Sequence, residues 1–206
     1  MTGKLDLPAN LEENSQFPFE EEPQKKETVV LLYSGGLDST VLLYLARTMD
    51  FNVQALMIDY GQRHRRELTK AKMICDGLRV PSIQMKADLS FARSKLTTKE
   101  AKGLYKEVSE WHVPGRNTIF IGYAISFAET IGANRIWIGA NFEDRINRFP
   151  DCAQEYLLKM SEACAIAASY PIILEAPLIG LRKETIKALA KMWQISMEDV
   201  HSGYEE

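Results

Sequence analysis

From Thr28 onward the chain alternates between short runs of β-favouring apolar residues and longer segments whose apolar residues recur at helical spacing. The runs "TVVLLY" (28–33), "NVQALMID" (52–59), "VPSIQMK" (80–86), "RIWIGAN" (135–141) and "PIILEAPL" (171–178) read as strands or short extended segments, because continuous apolar runs of this length fit strands buried on both faces. Between them, "DSTVLLYLARTMD" (38–50) carries Val41, Leu42, Leu45 and Ala46, and "RRELTKAKMICDGLR" (65–79) carries Leu68, Ala71, Met73, Ile74 and Leu78, at helical intervals. "NTIFIGYAISFAETIG" (117–132) is strongly apolar and predicts a helix held in the core, while "AQEYLLKMSEACAIAAS" (153–169) and "RKETIKALAKMW" (182–193) predict two more. Parallel strands need crossover connections, so this alternation predicts an α/β class: a doubly wound parallel sheet with helices on both faces. The polar stretch 88–112 has weak periodicity and reads as a lid or an insertion.

Residues 1–27 break the pattern. "MTGKLDLPANLEENSQFPFEEEPQKKE" mixes Pro, Asn and Gln with blocks of Glu and keeps no period. So little apolar area does not offset the entropy of ordering, so a mobile acidic extension is expected ahead of a domain spanning 28–206. The sharper alternative is a docking peptide anchored by Phe17 and Phe19.

Composition adds limits. With 206 residues, 46% hydrophobic and 26% charged, the chain suffices for one domain around a sizeable core. A formal net charge of −3 gives no global reason to bind nucleic acid or an anionic membrane, so an anionic ligand must be held locally. Cys75, Cys152 and Cys164 are odd in number and lack C-x-x-C spacing, which points to a reducing cytoplasm rather than a disulfide framework or zinc cluster. No apolar run approaches the roughly 20 residues of a membrane span.

The candidate chemistry sits where strands end. In "YSGGLDST", Tyr33 to Thr40, a glycine pair joins an apolar strand to a helix. Gly35 and Gly36 permit a tight turn and bring bare amides close to an anion, flanked by Leu37 in the turn. Ser34, Ser39 and Thr40 add hydroxyls, and the helix macrodipole adds partial positive charge, which together suit a pyrophosphate. Asp38 repels phosphate unless a cation lies between them, and magnesium is the natural one. The plain alternative is that Ser34 and Asp38 merely cap a helix. No Lys follows the glycines, so this is not a Walker loop.

Further clusters are "DYGQRH" (59–64), "HVPGRN" (112–117) and "GANFEDRINRFPDC" (139–152). Arg116 is a fork donor for carboxylate or phosphate, and Asn117 is a candidate helix cap that, with Arg116, is also expected to bind substrate. Tyr60 and Phe149 offer stacking surfaces and Gln62 and Asp151 offer hydrogen bonds for a purine-like ligand, while His64 can take a proton. Each segment alone also has a bland reading as a turn, a surface histidine or a helix start.

"SGGLDS" resembles the PP-loop of the N-type ATP pyrophosphatases. With "YGQRH", "VPGRN", "GAN" before Glu143 and Asp144, "FPDC", "LEAPL" and "KET", the chain from residue 28 to about 193 resembles the 7-cyano-7-deazaguanine synthase family. That resemblance implies an adenine nucleotide alpha hydrolase-like, Rossmann-like fold and an ATP-dependent ligase. It would adenylate 7-carboxy-7-deazaguanine, form the amide with ammonia, and use a second ATP to form the nitrile. ATP and Mg²⁺, the latter at Asp38, are the implied cofactors. The implied partners are small molecules, with a homodimer or partner subunit possible and neither nucleic acid nor membrane expected.

Two departures stand out. The family's four-cysteine zinc segment corresponds here to "HSGYEE", with Gly203 at the first cysteine's place, so no zinc is expected. Arg145, Asn147 and Arg148 replace small residues before Pro150. They open the alternatives of a paralogue that adenylates a related acid for conjugation, or a non-catalytic nucleotide-binding partner.

Overall fold

The computed structural model describes residues 26–63, 66–98, 108–146, 149–198 and 200. Most of the expected acidic extension with Phe17 and Phe19, together with His64, Asn147, Arg148, Gly203 and the side chain of Arg145, lies outside the described residues.

Among the described residues five strands, β1 (Thr28–Leu32), β2 (Asn52–Asp59), β3 (Ser82–Lys86), β4 (Arg135–Trp137) and β5 (Ile173–Glu175), form one sheet in the order β3-β2-β1-β4-β5. All four pairings are parallel, with Val30 beside both Gln54 and Ile136. The helices are α1 (Leu37–Thr48), α2 (Arg66–Gly77), α3 (Arg116–Ile131), α4 (Phe142–Ile146), α5 (Gln154–Ala167) and α6 (Lys183–Met192). Each predicted strand and long helix is present within a few residues of its sequence bounds. The short α4 and a 3-10 turn at Pro150–Cys152 were not predicted, because five and three residues carry no readable period. Loop and turn alone fill the described parts of 88–112.

The period-two side-chain rule sorts β1 between two cores. Val30 and Leu32 join Leu56, Ile58 and Ile136 under α3 and α5. Val29 and Leu31 join Val53, Ala55 and Trp137 under α1, α2 and α6. Val29, Val30 and Leu31 are 0% exposed, and each such side chain contributes about 1.5–3 kcal/mol through burial. With both faces covered, the strands read as unbroken apolar runs, as the sequence led us to expect.

Successive strands step outward from β1 in opposite directions, to β2 and to β4. The switch point therefore lies between β1 and β4, where the loops leaving two adjacent strands diverge and open a crevice.

Candidate active site

The loop after β1 keeps its conformation through glycine and hydroxyl contacts. Gly35 has φ +78°, and a Cβ there would meet Ala71 Cβ at 2.8 Å, so both the turn and its packing on α2 exclude a side chain. Ser34 Oγ accepts the Gly36 N–H at 3.2 Å and lies 3.1 Å from Ser39 Oγ, which in turn donates to Gly36 O. Gly36 occupies the N-cap of α1 and has no side chain with which to cap its first-turn amides. Neither Ser34 nor Asp38 serves as the cap, contrary to the plain alternative. The first-turn amides of α1 thus keep the donor capacity that side-chain caps normally consume.

Tyr33 and Thr40 turn inward. Their hydroxyls lie 3.3 Å apart in the core beneath the loop, and burial pushes the Tyr33 phenol well above its ordinary pKa. Their side chains support the loop from below.

The loop after β4 closes the other side. Asn141 caps α4, its Oδ1 accepting the N–H groups of Glu143 and Asp144, while its own N–H donates to Asp144 Oδ2 at 2.9 Å. This reciprocal pair is a capping box built from Asn and Asp. Asn141 Nδ2 then reaches Asp38 Oδ2 at 3.0 Å. From the start of α6, Lys183 Nζ lies 2.8 and 2.6 Å from the two Asp38 oxygens, and its backbone N–H donates to Glu143 Oε2. Three loops separated in sequence thereby meet on one carboxylate.

These loops and the facing side of α3 enclose a cavity of about 250 Å³. Of the residues singled out in the sequence, Tyr33, Ser34, Gly36, Leu37, Asp38 and Ser39 line it on the loop side, and Tyr60, Gln62, Arg116, Asn117 and Phe149 line the remainder. Gly35, Thr40 and Asp151 do not contact it. Arg116 Nη1 donates to the Tyr60 hydroxyl at 3.4 Å, and its guanidinium packs over the rings of Tyr60 and Phe120 at 5.5 and 5.7 Å. Gln62 Oε1 accepts the Tyr60 N–H at 2.9 Å, which fixes the turn.

Asp151 stands behind this wall. Its Oδ2 accepts the Asn117 N–H at 3.0 Å, so a residue from the 3-10 turn caps α3. Asn117 itself lies in the first turn rather than at the cap, which Gly115 occupies at φ 66°. Asn117 Nδ2 also donates to Asp151 O and to Cys152 Sγ. Burial and adjacent carboxylates push the Cys152 thiol up to about 12, so it packs as a neutral group. His112 Nδ1 lies 3.7 Å from Asp151 Oδ1, with burial holding its pKa below the usual imidazole value against the pull of that carboxylate.

Asp144 is the perturbed acid of the cavity. Burial raises its pKa to about 6, and repulsion from Asp38 adds to the shift against the Asn141 N–H, Lys183 and Arg116. Sequence alone assigns no role to Asn141, Asp144 or Lys183, although all three fall in segments quoted above. Their polar types just after "RIWIG" and "LEAPL" were the available signal.

A magnesium ion takes one or two carboxylates and fills its shell with phosphate oxygens and water. Asp38 and Asp144 both line the cavity and match that donor chemistry. Among the described residues no cluster of three metal-ligating side chains occurs, so a cation here depends on a nucleotide for its remaining ligands.

The sheet order and loop placement define a doubly wound α/β protein with its cavity at the switch point. Solved structures of similar fold include a predicted tRNA methyltransferase subunit from Methanocaldococcus jannaschii (TM-score 0.55, 17% identity, covering 80% of this chain and 74% of that one). Another is the NH3-dependent NAD synthetase from Campylobacter jejuni (TM-score 0.51, 19% identity, covering 87% and 69%). Within that class, residues 28–206 match the family described as queuosine biosynthesis protein QueC, and the chain belongs to it. The 7-cyano-7-deazaguanine synthase of Prochlorococcus marinus MIT 9215 is 35% identical over 192 residues, covering 87% of this chain and 85% of the relative. That of Picrophilus torridus is 37% identical over 186 residues, covering 85% and 77%. No described helix is long and apolar enough to cross a membrane.

Proposed function

We propose that this chain uses ATP and ammonia to convert 7-carboxy-7-deazaguanine into 7-cyano-7-deazaguanine. One observation carries the reading: a phosphate-type loop and an aromatic, arginine-bearing compartment share a single cavity at the switch point. The first supplies donors for ATP's phosphates, and the second has the shape and chemistry for a flat acid.

A carboxylate resists attack at neutral pH because oxide is a very poor leaving group. Transfer of AMP to it, with departure of pyrophosphate, creates a mixed anhydride. The first-turn amides of α1 with Ser34 and Ser39 oppose the charge that gathers on pyrophosphate, an electrostatic contribution aimed at the transition state. Magnesium, bound through Asp38 and the phosphates, supplies further charge neutralisation when present. Arg116 holds the substrate carboxylate beside Tyr60, and the rings of Tyr60 and Phe149 flank the bicyclic base.

Ammonia then attacks the acyl carbon, the C–N bond forms as the C–O bond to AMP breaks, and the shed proton passes to His64 or solvent. A second AMP transfer, to the amide oxygen, makes that oxygen a leaving group. Loss of the nitrogen's protons and of AMP leaves the nitrile. The cavity walls, with Leu32, Leu56, Ile58 and Ile138, keep bulk water from the anhydride. In this reading the partners are small molecules and the setting is the cytoplasm, where Cys75, Cys152 and Cys164, all free, stay reduced.

The test is direct. Purified full-length protein with magnesium, ATP, ammonium and the acid should yield the nitrile by mass spectrometry, together with AMP and pyrophosphate. AMP without nitrile would point to a paralogue that couples the activated acid elsewhere. No turnover of ATP would contradict an enzymatic role.

A further inference from the structure

The sequence has no Lys after its glycines, yet the fold brings one to the loop from 145 residues away. Lys183 opens α6, lines the cavity, and places Nζ within 2.8 Å of both Asp38 oxygens. Arg116 and Lys183 are the two cations lining the cavity among the described residues. Arg116 lies on the Tyr60 side, over the rings of Tyr60 and Phe120, so Lys183 is the one at the loop.

We infer that Lys183 is a phosphate-binding residue of this site, held on Asp38 until an anionic phosphate chain displaces it. An ammonium has three donors, and Asp38 engages it through both oxygens. The pair is only part-buried, with side chains 28% and 20% exposed, so solvent weakens it and an arriving polyanion can compete. The anchor beneath the side chain is firm. The Lys183 N–H donates to Glu143 Oε2 at 3.0 Å, which ties the α6 terminus to the loop after β4. The lysine thus moves its tip rather than its backbone. Asp38 repels phosphate and also occupies the cation that would attract it.

This inference rests on the cavity's being a site for ATP's phosphates and not on the identity of the acid. Its consequence runs against the simple expectation that a loop-lining carboxylate variant only weakens binding. Without divalent metal, removing the Asp38 charge should improve anion binding, because it frees Lys183 and abolishes the repulsion.

The test is isothermal titration of the full-length protein with inorganic pyrophosphate in the presence of EDTA. Asp38→Asn should bind pyrophosphate on the order of tenfold more tightly than wild type, the size of one part-exposed charge contact. Adding Lys183→Met to Asp38→Asn should erase that gain. Adding Lys187→Met instead, a change of equal charge at an exposed residue one turn along α6, should retain it. Circular dichroism establishes that each variant is folded, and Asp38→Ser serves if Asp38→Asn is not. No gain in Asp38→Asn, a gain that survives Lys183→Met, a gain lost equally to Lys187→Met, or no binding by any variant overturns the inference. Nitrile formation by wild type is a separate readout, so failure of the synthase reading and failure of the lysine's role are distinguishable.

Discussion

The Asn141 side-chain amide donates to Asp38 Oδ2 at 3.0 Å, joining the loops that leave β1 and β4 on the two sides of the switch point. Because Asn141 also caps α4, the carboxylate at the heart of the cavity is oriented by a helix start that lies 103 residues away in the chain. The same Asp38 receives Lys183 from α6. Sheet order therefore does more than support the site, since it brings its polar groups to one place.

The glycine turn should fail with a single methyl group. Gly35→Ala forces a β-carbon into a left-handed backbone at φ +78° and within 2.8 Å of Ala71 Cβ. Left-handed strain and overpacking together should cost about 2–4 kcal/mol, read as a lower urea midpoint at unchanged slope. In a double-mutant cycle, Ala71→Gly should cost less in the Gly35→Ala background than in wild type, because it removes the clash. Additivity of the two changes would place the strain elsewhere.

Arg116 should not be replaceable by another cation. Arg116→Lys keeps the charge but loses the planar fork and the packing over Tyr60 and Phe120. In steady-state assays its KM for the acid should rise about tenfold or more, the loss of one bidentate charge-assisted contact, while KM for ATP changes less. An equal rise in both constants would assign Arg116 to the nucleotide instead.

Asp144 should carry a pH signature of stability. Its carboxyl titrates near 6 in the folded chain, above the ordinary value of 3.8, chiefly through burial. Between those values the native state holds more protons than the unfolded one, so this group's contribution falls as pH rises through that window. Asp144→Asn keeps an oxygen for the Asn141 N–H and cannot ionise. Urea melts should show it more stable than wild type by about 1–3 kcal/mol at pH 7, with the advantage shrinking towards pH 4. A constant difference across that range would argue against a buried ionised Asp144.

Much of this fold was legible because both faces of the sheet are covered. Val29 to Leu32 and Val53 to Ile58 read as strands with no alternation to confuse them, and the loop "SGGLDS" lay between two such clear elements. What stayed hidden depends on distant contacts. Lys183 looks like an ordinary helix-start lysine until α6 packs beside α1, and Asp144 looks like a solvated acid until α4 turns it inward. Asp151, expected to meet a ligand, also caps α3, a contact that only the fold discloses. His64 lies outside the described residues, so its expected role stands on sequence.

In the proposed reaction this cavity moves AMP, and not phosphate, onto a carboxylate. Carboxylate-¹⁸O-labelled 7-carboxy-7-deazaguanine tests it most directly, with AMP, phosphate and pyrophosphate examined by mass spectrometry after turnover with magnesium, ATP and ammonium. Each adenylation and displacement leaves one acid-derived oxygen on AMP, so every AMP formed should carry a single ¹⁸O while pyrophosphate and phosphate stay unlabelled. Label in phosphate, or unlabelled AMP, would exclude adenylation of the carboxylate.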